Sequence, residues 1–373
     1  MSLDRSRCRS SSRSPARRVG SIDAATSPSI ASAIAAAAAA SNGYTRRALV
    51  SFRERLQCSL TMLNLYGGGA TVRWKVCADS VKKNPGKPWV ALKAGQQLEV
   101  YDMERKVLVS KHKTSFPVIF WTWIGASVIA LVSDDAVYHW DLAHGSDASS
   151  AQRRLFARHS RLDNAEIVSY VADDAHRWCA LLGLIENDGA VQGVVQLYST
   201  DERLSQPIDA HAVSFATYTF DGNAHPSTLL CVALRACGRS GKVHVVELGP
   251  HVKGNGALTT YSETIKFTAN TSKYDFPIAT EVSSSQRLVY IVTKYGHLFL
   301  CELETGMFLC QIQMSRDVIF ATLLNSETQG VIGISRNGQV LLVDVKKEEI
   351  VEYIKKVLKK PKIASRMETY INT

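Results

Sequence analysis

The feature that most constrains the fold of this 373-residue chain is a repeat of short β-hairpins that begins after residue 47. In each unit, two runs rich in Val, Ile, Leu and Tyr flank a short polar or glycine-containing turn, which is the pattern of two antiparallel strands. Three less regular units begin near Leu49, Trp178 and Leu229. The four regular units pair residues 89–93 with 97–101, 128–132 with 136–140, 288–293 with 297–300, and 331–334 with 339–343.

The spacing of these units predicts a β-propeller. Successive units begin 39 to 59 residues apart, and most of these intervals lie in or near the length of a blade, about 40 to 50 residues. One hairpin cannot bury both of its faces, so the units must pack against one another. Seven units over residues 48–345 therefore predict an all-β fold, a seven-bladed β-propeller, whereas a β-sandwich would not need so long a repeat.

Residues 1–47 differ from the rest of the chain. They are rich in Ser, Arg and Ala, with six consecutive alanines at 35–40, and offer few large apolar side chains to bury. This composition predicts a disordered tail; an organelle transit peptide and an Arg/Ser nucleic-acid tail are the alternatives. Such a tail holds no good strand with which to close a ring, so we predict that the first or last blade is incomplete.

The pattern changes to helical spacing after Val345. Apolar residues recur every three to four positions from Ile350 to Leu358, which predicts an amphipathic helix. Pro361 is expected to end or kink this helix, and a second helical piece is expected over 363–371. Residues 346–373 are therefore predicted to begin an α-helical linker that follows the propeller.

Basic charge is concentrated at the amino terminus. The formal net charge is +10, and residues 1–47 supply +6 of it through eight arginines and two aspartates. The rest of the chain is nearly balanced, so no extended basic surface for nucleic acid is indicated there. We expect no nucleic-acid partner. No run of 18 apolar residues occurs, so the sequence predicts no transmembrane helix.

The cysteines and the catalytic signatures point away from metal and enzyme chemistry. No pair of the eight cysteines has C-x-x-C spacing, which favours buried, reduced thiols. The adjacent carboxylates at 134–135 and 173–174 stand where turns are expected, and His139 lies within a strand as a structural residue. No nucleophile elbow, phosphate loop or zinc motif occurs. We therefore predict no enzymatic activity, no metal and no cofactor.

Several segments resemble the amino-terminal domain of the clathrin heavy chain. They occur in the family's order and at close to its spacing, and the resemblance extends from about residue 70 to residue 368. Residues 1–47 do not share it. The segments that carry the resemblance are residues 91–95, 120–124, 136–140, 197–199, 205–208, 221–224, 291–296 and 303–306.

The resemblance implies a seven-bladed propeller that captures short peptide motifs of adaptor proteins in clathrin coats. It places the chain in the cytoplasm at coated pits and coated vesicles, in vesicle-mediated protein transport, with the membrane reached only through adaptors. The family's helical leg, light-chain site and trimerisation region are expected beyond residue 373. The alternative is a truncated, divergent paralogue that folds but has lost most adaptor binding.

The family's main groove lies between its first two blades. Its apolar wall is kept by Val90 and Tyr101, and a cation is kept by Lys106. Glu99 stands where the family has a neutral amide, and Leu108 where it has a lysine, so the local charge falls by about 2. We expect these two changes to weaken binding of acidic adaptor peptides by about tenfold. By resemblance, the groove comprises Val90, Gln97, Glu99, Tyr101, Lys106 and Leu108.

Two further family surfaces map onto later blades. In the second groove Glu202 replaces an arginine, although Arg203 is adjacent. The third surface corresponds in part to Glu166 and Val168, and the rest of it comes from an amino-terminal segment that is not recognisable here. By resemblance, the second groove comprises Trp178, Leu197, Glu202, Arg203 and Gln206.

Overall fold

The structure is a computed structural model in which the central part of the chain is described. The first three described ranges define the backbone of strands only. The predicted tail before residue 47 lies outside the described residues. The described ranges are residues 47–54, 57–64, 72–76, 78–144, 152–187, 189–236, 238–267, 274–325 and 327–368.

Within these ranges the chain forms seven antiparallel sheets, which we number I to VII in chain order. Sheet I holds β1 (Arg47–Glu54), β2 (Gln57–Asn64) and β3 (Val72–Val76). Sheet II holds β4 (Ser80–Lys83), β5 (Trp89–Ala94), β6 (Gln97–Asp102) and β7 (Val107–Lys113). Sheet III holds β8 (Phe120–Trp123), β9 (Val128–Val132), β10 (Ala136–Asp141) and β11 (Gln152–Ala157).

The later sheets repeat this arrangement. Sheet IV holds β12 (Glu166–Ala172), β13 (Trp178–Asn187), β14 (Ala190–Ser199) and β15 (Leu204–Asp209). Sheet V holds β16 (Ala212–Tyr218), β17 (Ser227–Arg235), β18 (Ser240–Leu248) and β19 (Thr260–Lys266). Sheet VI holds β20 (Pro277–Ser283), β21 (Leu288–Thr293), β22 (His297–Glu302) and β23 (Phe308–Gln313). Sheet VII holds β24 (Ile319–Leu324), β25 (Val331–Ser335) and β26 (Val340–Val343).

Each sheet is a meander. Three of the four regular hairpins predicted from the sequence form the two middle strands of sheets II, III and VI, and the fourth forms the last two strands of sheet VII. Successive side chains of a strand point to opposite faces, and in sheets III to VI the middle strands carry apolar side chains on both faces. In β13, Cys179 and Leu181 join the core between sheets III and IV, whereas Ala180 and Leu182 join the core between sheets IV and V. Such two-sided burial makes the sheets stack as blades.

The fold is thus an all-β propeller, as predicted, but the blade count is not confirmed. Six blades are recognised: the five four-stranded sheets II to VI and the three-stranded sheet VII. A blade is defined by side chains buried on both faces, and in sheet I only the backbone is described, so it does not establish a seventh. Sheets I and VII each have three strands in the described ranges, where the sequence predicted an incomplete first or last blade.

Two helices follow the last sheet. Helix α1 (Lys347–Lys356) buries Ile350 and Ile354 against sheets VI and VII, as its apolar spacing predicted. Pro361 does not end this helix: it is the first residue of α2 (Pro361–Glu368), a position where a missing N–H costs no hydrogen bond. The divisions at residues 47 and 345 stay a prediction. No helix in the described ranges is long and apolar enough to cross a membrane.

A buried ionic cluster attaches α2 to the propeller. Arg287, which is almost fully buried, lies 3.2 Å from the Glu304 carboxylate and 3.1 Å from Asp221. Arg366 of α2 donates to the other oxygen of Glu304 and lies 3.9 Å from Glu302, which is fully buried. Two arginines, Arg287 from the ring and Arg366 from α2, therefore neutralise the buried carboxylates of Glu302 and Glu304.

The residues considered for catalysis are structural. Asp135 lies in an exposed turn, and Asp173 accepts the Trp178 N–H at 2.7 Å. His139 is buried, with its Nε2 2.7 Å from the Tyr170 hydroxyl of the next sheet. Burial, together with nearby His176 and Arg153, lowers the pKa of His139 to about 3. Burial also raises the pKa of Cys179 and Cys231 to about 12, as expected for inert thiols.

Replacing His139 by Gln should reduce the pH dependence of stability. The folded-state pKa of His139 lies below that of an unfolded histidine, so the unfolded chain takes up the proton first as the pH falls below about 6.5. The parent protein should therefore lose unfolding free energy between pH 7 and pH 4.5, and this loss should be smaller by about 2 kcal/mol in His139→Gln. Urea unfolding at both pH values measures it, with the exposed His225→Gln as control. An unchanged difference would contradict the assignment.

Replacing Arg366 by Met should destabilise the protein and loosen α2. Glu302 and Glu304 would keep only part of their neutralising charge, and breaking such a pair costs about 2 kcal/mol or more. Denaturant unfolding and hydrogen exchange of the α2 amides measure the change. Lys356→Met, which removes an exposed pair with Glu352 on α1, is the control and should have almost no effect. Equal losses of stability from the two substitutions would show that the buried ion pairs of Arg366 stabilise the protein no more than an exposed pair.

Candidate functional site

The first candidate groove lies on one face of sheet II. Ala91, Leu98 and Val100 point to the other face and pack against sheet III, so this face is turned away from sheet III. The strand register arranges it in three rows: Val90–Tyr101–Leu108, Leu92–Glu99–Lys111, and Gln97–Lys113. Side chains directly opposite in neighbouring strands are close enough to interact. The structure thus brings five of the six predicted residues onto one surface.

A β-bulge in β7 sets this arrangement. The register of β6 and β7 shifts between Val100 and Tyr101, which leaves Val109 without a directly opposite residue. Leu108 and Lys111 therefore share a face although they are three positions apart. Without the shift, Ser110 rather than Lys111 would lie opposite Glu99. Bulges are common where a strand must re-aim a side chain.

The first row is the apolar end of the groove. Val90 is buried, Tyr101 is half-buried, and Leu108 is 48% exposed. Lys106, the sixth predicted residue, lies in the turn that joins β6 to β7 and has a left-handed backbone, with φ 57°. Asp102 holds this turn by accepting the N–H groups of Glu104 and Arg105, both at 2.9 Å. The turn places an exposed cation beside the apolar row.

The second row pairs the apolar Leu92 with a charged pair centred on Glu99. Its Oε1 accepts a hydrogen bond from the Gln97 amide at 2.6 Å and lies 3.0 Å from Lys111 Nζ. Its Oε2 accepts from the Tyr101 hydroxyl at 2.7 Å. The hydrogen bond from Tyr101, followed by that from Lys111, lowers the pKa of Glu99. Glu99 is thus ionised at neutral pH, and a lysine neutralises it in place.

Lys111 is a groove residue that the sequence reasoning missed. Glu99 and Leu108 both make the groove less positive than the family pattern, and Lys111 compensates for the first of these changes. The cross-strand position of Lys111 depends on the bulge, which no local pattern in β7 shows. Cations also predominate in sheet II and its flanking segments: residues 78–119 contain eight Lys and Arg against four Asp and Glu.

The second candidate groove lies on the face of sheet IV that packs toward sheet V. Leu197 is buried, lies opposite Gln206 in the register, and joins the same core as the half-buried Trp178. Glu202 and Arg203 occupy the exposed turn between β14 and β15, where the Glu202 N–H donates to the Ser199 hydroxyl at 3.2 Å.

The second groove also has a feature that sequence reasoning missed. Leu204 lies opposite Ser199, which itself pairs with Trp178, and it is 67% exposed. At the same end of the sheets, a small cleft lies between Arg177 and the loop 249–258. The sequence feature that could have identified Leu204 is an apolar residue directly after a polar turn, at the start of an outer strand.

The third predicted surface is less well defined. Glu166 and Val168 lie at the start of β12 and are half-buried, and Val168 packs into the core between sheets IV and V. The described residues bring no other predicted contact to them. Within the described ranges, no group of three or more His, Cys, Asp or Glu side chains could hold a metal ion.

Solved structures with similar folds support the architecture alone. The Cps50 (Swd1) β-propeller domain of Myceliophteria thermophila superposes with a TM-score of 0.50 at 10% identity, over 80% of this chain and 92% of that one. A chain of a mitotic checkpoint complex superposes with a TM-score of 0.54 at 12% identity, over 81% of this chain and 88% of that one. At such low identity they show a shared fold and nothing about function.

The sequence comparisons identify the family. The clathrin propeller repeat matches residues 212–249, which span β16 to β18. Human clathrin heavy chain 2 is 34% identical over 325 residues, 87% of this chain and 20% of the relative. The Drosophila melanogaster clathrin heavy chain is 36% identical over 320 residues, 85% of this chain and 19% of the relative. The probable clathrin heavy chain 1 of Caenorhabditis elegans is 35% identical over 311 residues, 83% of this chain and 18% of the relative.

The chain spans about a fifth of the length of these curated relatives. The aligned region nevertheless covers most of this chain, and the repeat match lies within one of its four-stranded blades. The resemblance predicted from the sequence is thereby confirmed. Through its propeller, the chain belongs to the clathrin heavy-chain family.

Proposed function

We propose that this propeller is a component of clathrin coats whose sheet II groove binds short adaptor peptides with apolar and acidic residues. The observation that carries the proposal is the row Val90–Tyr101–Leu108 with Lys106 beside it and Lys111 in the next row. An extended peptide can pack its apolar side chains on the row and direct its acidic groups to the lysines.

The proposed role is one of binding rather than catalysis. The relatives are named as clathrin heavy chains, and we infer a place at coated pits and coated vesicles, with adaptors between the propeller and the membrane. We also infer that sheet I is a seventh, incomplete blade. Its first strand β1 packs beside β4 of sheet II, as the first strands of later sheets pack beside one another.

The alternative function is that of a divergent paralogue with weakened adaptor binding. It is favoured by Glu99, a carboxylate within a groove proposed for acidic ligands, and by Leu108 in place of a family lysine. The ion pair between Glu99 and Lys111 reduces the force of this argument, because the charge introduced by Glu99 is neutralised at 3.0 Å. Peptide affinity separates the two functions.

A titration of the full chain with a short, acidic, leucine-rich peptide tests the proposal. We expect micromolar binding that weakens at high salt, because screening reduces attraction between exposed charges. Lys106→Glu should weaken binding about tenfold or more, since it reverses a charge beside the apolar row. The matched control is Lys362→Glu, the same reversal at an exposed residue of α2, which should leave binding unchanged. A folded protein that binds no such peptide would favour the divergent paralogue.

The same titration separates the two grooves. Trp178→Ala removes apolar surface from the second groove and should leave the affinity of the leucine-rich acidic peptide within about twofold of the parent. Tyr101→Ala, a matched truncation of a half-buried aromatic residue in the first groove, should weaken it about tenfold. A larger loss from Trp178→Ala than from Tyr101→Ala would place the peptide in the second groove.

A further inference from the structure

Lys111 occupies an unusual position in the sheet II groove. It lies directly opposite Glu99 and close to its carboxylate, yet its side chain remains 52% exposed, against 22% for Glu99. An ammonium group has three N–H donors, and Glu99 accounts for one of them. The remaining donors are available on the exposed side, where a ligand would lie.

Glu99 is fixed in place by more than Lys111. Gln97 and Tyr101 donate to its two oxygens, at 2.6 and 2.7 Å, so the carboxylate cannot turn away from an incoming acidic group. Two like charges about 5 Å apart repel each other appreciably at the effective dielectric constant near a protein surface. A neutralising cation is therefore needed if the groove is to accept an acidic peptide at this row.

We propose that Lys111 is a specificity-determining residue of the groove, held by Glu99 so that its ammonium group bridges the protein carboxylate and an acidic side chain of the bound peptide. This inference rests on the proposed function and names the contact by which an acidic peptide is distinguished from a neutral one. The apolar anchor of that peptide packs on Tyr101 and Leu108, and its acidic residue lies one row further along, beside Lys111. The bulge at Val109 creates this spacing.

The coupling between Glu99 and Lys111 distinguishes this arrangement from general basicity of the blade. If Lys111 acts as a bridge, removing it leaves Glu99 facing the ligand without compensation, and removing Glu99 as well restores much of the affinity. Lys113 provides the matched control, since it lies on the same strand and face, is exposed, and is opposite Gln97 rather than a carboxylate. If the peptide were attracted only by the overall positive charge of the blade, removing either lysine would weaken binding equally.

The experiment titrates the full chain with two peptides, the acidic leucine-rich peptide and the same peptide with every acid changed to its amide. The parent should prefer the acidic form. Lys111→Ala should weaken acidic-peptide binding about tenfold and amide-peptide binding less than about twofold, which a purely structural role would not do. Lys113→Ala should cost about two- to threefold. The double variant with Glu99→Gln and Lys111→Ala should bind within about threefold of Glu99→Gln alone.

Several outcomes would overturn the inference. Equal losses from Lys111→Ala and Lys113→Ala, additive effects of the Glu99 and Lys111 substitutions, or equal losses for both peptides would each show that Lys111 is not a bridge. A parent protein that binds neither peptide would overturn the proposed function together with this inference. Binding by the parent without coupling would overturn the inference alone.

Discussion

Burial of both faces of the middle strands is the constraint on which the rest of the structure depends. In sheets III to VI each middle strand supplies apolar side chains to two different cores, one on either side of its sheet, as Cys179 and Ala180 do in β13. A sheet with two apolar faces cannot border water on either side, so the sheets stack around a common axis. In sheet II the middle strand β6 departs from this pattern, because Gln97 and Glu99 stand on the face turned away from sheet III.

That division also determines where a ligand can bind. The inner strands of sheets III to VI are occupied by packing, whereas the outer strand of a blade has one edge without a strand partner and side chains that reach solvent. In sheet II the outer strand β7 adds Leu108 and Lys111 to a face whose floor, Val90, is already buried. The groove is therefore a boundary between the core and the surface, with an apolar floor and charged walls.

Features that depend on residues close together in the sequence could be predicted, and features that depend on contacts between distant residues could not. Hairpins depend on neighbouring residues, and the four regular ones occur as predicted. The groove face followed from resemblance, because Val90 and Tyr101 keep the family's pattern. Lys111 could not be found in this way, since its place opposite Glu99 depends on a register shift between strands. The ionic cluster was also unforeseen, because Arg287 and Arg366 are 79 residues apart and are brought together by the tertiary fold at Glu304. The blade count is not confirmed for a related reason: seven hairpins do not show that both faces of every sheet are covered.

The buried cluster has a mechanical consequence. Glu304 belongs to the ring, and the two arginines that share it come from the ring and from α2. A force applied to α2 would be transmitted to sheet VI through these ionic contacts and through the apolar packing of the two helices. It would not be taken up by a flexible hinge between the helices and the ring. The propeller and the helices α1 and α2 therefore move as one unit, and the direction in which α2 points is set by the ring.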